Sequence, residues 1–135
     1  MTPAADHDLQ RKTLGVRGED MAVDFLEKKG YTILCRNYRC RSGEIDIIAA
    51  DGSTICFIEV KTRQQARYGA PEDSVVRYKQ RHMAKVATQF LQSRHLLDAP
   101  CRFDVVSVDE TGTQPQIDLI QSAFVLDEND EVSDV

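Results

Sequence analysis

No apolar run in the 135 residues approaches the roughly 18 needed to cross a bilayer, so no membrane association is expected. The four cysteines, Cys35, Cys40, Cys56 and Cys101, form no CxxC pair and have no nearby histidine at zinc-ligand spacing. Structural zinc and a disulfide framework are therefore disfavoured, and Cys56, inside Ile55-Cys56-Phe57-Ile58, reads as a small hydrophobe. There is no Gly-rich phosphate loop and no serine–histidine or cysteine–histidine spacing suited to covalent catalysis. The histidines are scattered: His7 near the start, and His82 and His95 in or beside a later helix. No internal repeat is present. Met1–Lys12 is polar and lacks the apolar core of a secretory signal, so a cytoplasmic protein is expected.

The content itself is that of one globular domain, with 41% hydrophobic and 29% charged residues. The net charge of −5 argues against a nucleic-acid partner, but its distribution argues the other way. Residues 28–102 hold fourteen Lys/Arg against seven Asp/Glu, whereas residues 1–27 carry −3 and residues 103–135 carry −9. A basic middle can meet phosphates; it can equally be an ordinary solvated surface.

Residues 1–13 read as a flexible arm, 14–126 as a single domain, and 127–135 as an acidic disordered tail. A helix is expected from Gly15 to Lys29, stopped by Gly30, with Ala22, Phe25 and Leu26 facing inward and Glu19 on the edge of that stripe. Strands follow at Tyr31–Arg36, Gly43–Ala50 and Thr54–Thr62, with a basic connection over Asn37–Ser42 and a hairpin at Asp51-Gly52-Ser53. After a loop from Arg63 to Pro71, a helix over Glu72–Arg94 presents Val75, Val76, Met83, Val86, Ala87, Phe90 and Leu91 to a core. Cys101–Val108 and Ile117–Val125 are the last strands, separated by a turn at Thr111-Gly112-Thr113. The order α-β-β-β-α-β-β implies an α/β domain, a mixed sheet flanked by helices.

The hairpin carries the chemistry. Strand alternation puts Ile45, Ile47 and Ala49 on one face and Glu44, Asp46 and Ile48 on the other. On the second strand, Phe57, Glu59 and Lys61 share a face. A Gly52-Ser53 turn makes paired residue numbers add to 105, placing Asp46 opposite Glu59 and Glu44 opposite Lys61. An Asp51-Gly52 turn makes the sum 103 and leaves Asp46 diagonal to Glu59 on the same face; only an odd-length loop separates them. Opposed carboxylates lie about 5 Å apart at Cα and repel. A divalent cation relieves that repulsion, because Mg²⁺ favours oxygen ligands. With Lys61 beside it, the set suits phosphodiester hydrolysis. The alternative is the solvent face of an amphipathic hairpin, with Glu44–Lys61 a surface ion pair. Glu19 could supply a further oxygen.

Gly18-Glu19-Asp20 with Ala22 and Phe25-Leu26, then Gly43-Glu44-Ile45-Asp46, then Phe57-Ile58-Glu59-Val60-Lys61-Thr62-Arg63 resembles the YraN-like family of uncharacterised bacterial proteins. That family is similar to Holliday-junction resolvases and the PD-(D/E)XK nucleases, and the likeness runs from about Leu14 to Val125. It implies a restriction-endonuclease-like fold, Asp46 and Glu59 as ligands of Mg²⁺ or Mn²⁺, Lys61 as the catalytic lysine, and Glu19 as the first-helix glutamate that joins them. Ile45 stands where the superfamily name has proline, which leaves the acidic position intact. Tyr78-Lys79-Gln80-Arg81 also matches, so Lys79 or Gln80 is expected near substrate.

The activity implied is an endodeoxyribonuclease, acting on branched DNA of the Holliday-junction kind, with Arg36, Arg39, Arg41, Arg63 and Arg67 as candidate phosphate contacts. Resolvases act as symmetric dimers, which raises a homodimer here, and the acidic tail is a candidate docking segment for a protein partner. The competing class is a non-catalytic nucleic-acid- or protein-binding module on a nuclease fold. The sequence pI near 5.1 favours that class; the intact Asp46/Glu59/Lys61 set weighs against it.

Overall fold

The computed structural model describes residues 17–63 and 77–124. The expected arm 1–13, the loop after Arg63, the helix start at Glu72 with Val75 and Val76, and the tail 127–135 lie outside the described residues. So do His7 and Arg67. Residues 17–28 form helix α1. Its end is set as the sequence indicates: Gly30 takes φ +95°, its N–H donates to Glu27 O at 3.0 Å, and the Tyr31 N–H donates to Leu26 O at 3.0 Å. Those two bonds are a Schellman closure, which satisfies carbonyls that the helix leaves open.

Strands β1 (Thr32–Cys40), β2 (Gly43–Asp51) and β3 (Thr54–Arg63) follow, then helix α2 (Arg77–Ser93) and strands β4 (Cys101–Asp109) and β5 (Gln116–Phe124). The sheet order is β1-β2-β3-β4-β5. All neighbours are antiparallel except β3 and β4, which run parallel and are joined through α2. Parallel neighbours require such a crossover. The architecture is the expected α-β-β-β-α-β-β, a mixed sheet with a helix on each face, and it is a restriction-endonuclease-like α/β fold.

Two cores form, one per face. On one side Met83, Val86, Ala87, Phe90 and Leu91 of α2 pack on Ile48, Phe57, Phe103 and Val105. On the other, Ala22 and Leu26 of α1 pack on Ile47, Ala49, Cys56, Ile58, Val106 and Val108. An aromatic chain holds α2 down: Phe90 meets Tyr38 edge-on at 5.4 Å and Phe57 at 6.1 Å, and Phe57 continues to Phe103 at 5.7 Å. Gly18 of α1 lies so near β3 that a Cβ there would be 2.4 Å from Thr62 Oγ1, which brings the start of α1 against the C-terminal end of β3.

One element departs from expectation. Asn37–Ser42 is not a connection, because β1 continues to Cys40 and only Arg41 and Ser42 turn the chain. The strand is at the sheet edge, with Tyr38 and Cys40 on the α2 core and arginines outward. Such an edge exposes one side, so its composition looks like loop. Its register also slips between Ile33 and Cys35, and Asn37 takes φ 53°.

On β4, Asp104 is 0% exposed among the buried Phe103, Val105 and Val106. Arg102 Nε donates to both of its oxygens, at 3.1 and 2.9 Å, and the Ser122 N–H donates to Oδ1 at 2.9 Å. Arg102 Nη2 also reaches Tyr31 Oη at 2.6 Å and Asp51 at 3.2 Å, and Gln121 donates to the same tyrosine oxygen at 2.8 Å. The β4–β5 register shifts between Phe103 and Val105, so the Asp104 carboxylate stands in for a missing backbone acceptor. Arg102 is thereby a structural residue. Asp104→Ala should cost about 2–3 kcal/mol, since it leaves the Ser122 N–H without its acceptor and takes from Arg102 all but Asp51 and Tyr31. Urea denaturation measures this directly; a loss below about 1 kcal/mol would show that the network holds nothing together.

Candidate active site

The hairpin pairs Asp51 with Thr54, Ala49 with Cys56, and Ile47 with Ile58, so residue numbers add to 105 and Gly52-Ser53 is the two-residue turn. Pairing stops there. Beyond Ile47 and Ile58 the strands part, and the Val60 N–H donates to Asp46 Oδ2 at 2.8 Å instead of to a backbone carbonyl. Asp46 thus sits where the ladder opens, locked by β3 and opposite Glu59 in the continued register.

The simple alternation expected on β2 breaks at the same residue. Ile45 packs into the α2 core while Ile47 and Ala49 pack into the α1 core, so the three do not share a face. The cause is local: with the ladder open, the strand turns at Asp46. Glu44 consequently does not pair with Lys61. It accepts from Arg39 Nε at 2.7 Å, its partner across β1, and Lys61 turns to Glu59. The surface Glu44–Lys61 pair is therefore not formed.

Glu59 is 9% exposed, an unusual burial for a carboxylate. Its Oε1 lies 3.1 Å from Lys61 Nζ and also accepts a hydrogen bond from Lys79 Nζ. Lys79 comes from the first turn of α2, so two elements converge on one oxygen. Burial opposes the charge on Lys79, but the bond and charge of Glu59 prevail and raise its pKa. Asp46 is pushed up to about 6. Burial is the largest cause, opposed by the Val60 N–H and reinforced by the charges of Glu59, Glu19 and Glu44. Glu19 is raised too, by burial first, against the pull of Arg36 and a hydrogen bond from Asn37.

The structure therefore brings Asp46, Glu59 and Lys61 together, with Lys79 in contact and Glu19 within electrostatic reach of Asp46. The expected basic contacts are less uniform. Arg36 pairs with Asp20 at 2.8 Å and Arg39 with Glu44, Arg41 is exposed in the β1–β2 turn, and Arg63 lies beside Asp109, whose pKa it helps to lower. Gln80 is half-buried on α2. The sequence pointed to Lys79 only through the pattern around it. That it grips Glu59 became visible once α2 was laid against β3.

Among the described residues, no three acidic, histidine or cysteine side chains converge so as to hold a metal ion between them. That is compatible with Mg²⁺, which binds through one or two carboxylates and keeps waters and substrate oxygens for the rest. The donors present fit such an ion: Asp46 and Glu59 are hard oxygen ligands, and a cation would offset both the burial that chiefly lifts Asp46 and the neighbouring negative charges that add to it.

A mixed sheet with helices on both faces, opened between two strands around an aspartate, a glutamate and a lysine, defines a restriction-endonuclease-like domain. The chain belongs to the uncharacterised protein family UPF0102, whose model matches residues 18–108 and so spans every site residue from Glu19 to Lys79. It is 51% identical over 118 residues to a UPF0102 protein of Geobacter metallireducens, covering 87% of this chain and 97% of that one. It is 45% identical to a UPF0102 protein of Caldicellulosiruptor saccharolyticus, covering 86% and 100%, and 47% identical to one of Symbiobacterium thermophilum, covering 84% and 97%. No helix among the described residues is long and apolar enough to cross a membrane.

Proposed function

We propose that this protein is a metal-dependent endonuclease that hydrolyses phosphodiester bonds in DNA, with branched DNA as the preferred shape. The observation that carries the reading is the opening of the β2–β3 ladder at Asp46, which sets Asp46 against the buried Glu59 and leaves Lys61 on the same carboxylate. A purely architectural hairpin would gain by pairing to its end and by keeping like charges apart.

In this reading Asp46 and Glu59, with Glu19, would hold Mg²⁺ or Mn²⁺. When bound, the ion polarises the phosphate and lowers the pKa of an attached water. The chain's own groups do the rest. The Val60 N–H fixes the Asp46 carboxylate in one orientation, so no reorganisation is needed when substrate arrives. Lys61 orients the attacking water and offsets the charge that builds on the phosphate. The exposed Arg41 is the phosphate contact this reading favours, with Arg36 and Arg39 of β1 available once they exchange Asp20 and Glu44 for phosphate.

One feature favours the binding-module alternative: Glu59 already has two ammonium partners, a self-contained arrangement that needs no ion. The test is cleavage of labelled four-way junction, flap, single-stranded and duplex DNA with Mg²⁺ or Mn²⁺, with Glu59→Gln alongside. The wild type should cut, EDTA should stop it, and Glu59→Gln should lower the rate on the order of 10²-fold or more. A wild type that binds one of these DNAs and cuts none would transfer the site to the binding-module class.

A further inference from the structure

Two ammonium groups, Lys61 and Lys79, already occupy the Glu59 carboxylate. A divalent cation entering at that carboxylate would meet both at close range, in a partly dehydrated cleft where each unit interaction is amplified. Both cannot keep their places on one oxygen once an ion takes it. The geometry selects which of them leaves. Both ammonium groups share a single oxygen, Glu59 Oε1, Lys79 through a hydrogen bond and Lys61 at 3.1 Å. Lys61 lies two residues from Glu59 on the same strand and is 28% exposed; Lys79 arrives from another element and is 38% exposed, so it can leave without moving β3.

Resting on the proposed metal-dependent reading, we propose that Lys79 is the resident counter-cation of Glu59. It and the divalent ion are mutually exclusive occupants of that carboxylate, and metal loading releases Lys79 from the cleft. The device has two effects. It adds a hydrogen-bonded ammonium to Lys61 in compensating a buried glutamate while no metal is bound. It also sets metal affinity, because each ion that binds must displace a hydrogen-bonded ammonium.

The experiment is Mn²⁺ titration by calorimetry on the full chain as wild type, Lys79→Met and Asp46→Asn, without DNA. Methionine keeps most of the side-chain volume and removes the charge. Lys79→Met should bind Mn²⁺ about tenfold more tightly than wild type, and Asp46→Asn should bind none. A second readout uses the wild type alone. Acylation of lysines by an N-hydroxysuccinimide ester, mapped by peptide mass spectrometry, should label Lys79 several-fold faster once Mn²⁺ is added, relative to exposed Lys28. If the wild type binds Mn²⁺ through Asp46 but Lys79→Met binds equally or more weakly, and Lys79 labelling does not change, the exclusivity is wrong while the nuclease reading stands. If neither wild type nor Lys79→Met binds Mn²⁺, both fall together.

Discussion

Lys61→Ala should lower metal-dependent cleavage by about 10²–10⁴-fold while leaving Mn²⁺ affinity within a few-fold of wild type. The separation follows from position. Lys61 Nζ is 3.1 Å from Glu59 Oε1, near enough to act on whatever the two carboxylates hold, yet it is no ligand itself. Its contribution belongs to the transition state, where a proton leaves water and charge accumulates on phosphate, and groups acting there account for effects of that size. Its loss should not unfold the protein, since Glu59 retains Lys79. Lys61→Arg should restore little, because a planar guanidinium places its charge differently from an ammonium. Single-turnover cleavage beside Mn²⁺ titration separates the two effects. Cleavage within fivefold of wild type would remove Lys61 from the chemistry, and a parallel loss of metal binding would reassign it to holding Glu59.

The hairpin was legible in the sequence because its turn is short. Once Gly52-Ser53 reverses the chain, every pairing down to Ile47–Ile58 follows, and so does the approach of Asp46 to Glu59. The Gly30 stop and the inward faces of both helices were legible for the same reason: they are local, periodic features. What could not be read depends on contacts between distant segments. Asp46 breaking the β2 alternation requires Val60 N–H to be unpaired on a strand fourteen residues away. Asp104 has a visible warning, a charge inside Phe103-Asp104-Val105-Val106, but its explanation is Ser122 and a slipped register on β5. The extension of β1 was hidden because an edge strand bearing arginines has the composition of a loop.

The same two aspartates show how this fold uses carboxylates. Each replaces a backbone acceptor where a ladder opens, but among the described residues only Asp104 has a guanidinium in contact. Asp46 instead faces Glu59, Glu19 and Glu44, and that difference makes it a liability that a metal can resolve.

Asp46→Asn should therefore stabilise the metal-free protein at neutral pH and abolish its response to metal. The sign follows from linkage. The Asp46 carboxyl is raised from 3.8 to about 6 by burial and by neighbouring carboxylates, so the folded chain keeps a proton that the unfolded chain releases. Its stability contribution is fully present below pH 3.8 and is lost as pH rises through about 6. The rise from 3.8 to about 6 sets an upper bound of about 3 kcal/mol, reduced by whatever relaxation lets water reach the charge. Asparagine is never ionised, and its Oδ1 can still accept the Val60 N–H, so it keeps the lock without the repulsion. In EDTA the variant should melt above wild type at pH 7–8, and the gap should close toward pH 4. Saturating Mn²⁺ should reverse the order, since an ion at about 1,000 times its Kd stabilises the wild type by about 4.1 kcal/mol, more than that bound, and the variant not at all. Calorimetric melts over pH 4–8, with and without Mn²⁺, test both halves. A wild type more stable than Asp46→Asn at pH 8 in EDTA would mean that the carboxylates are not in conflict, and the case for a cation between them would lose its physical basis.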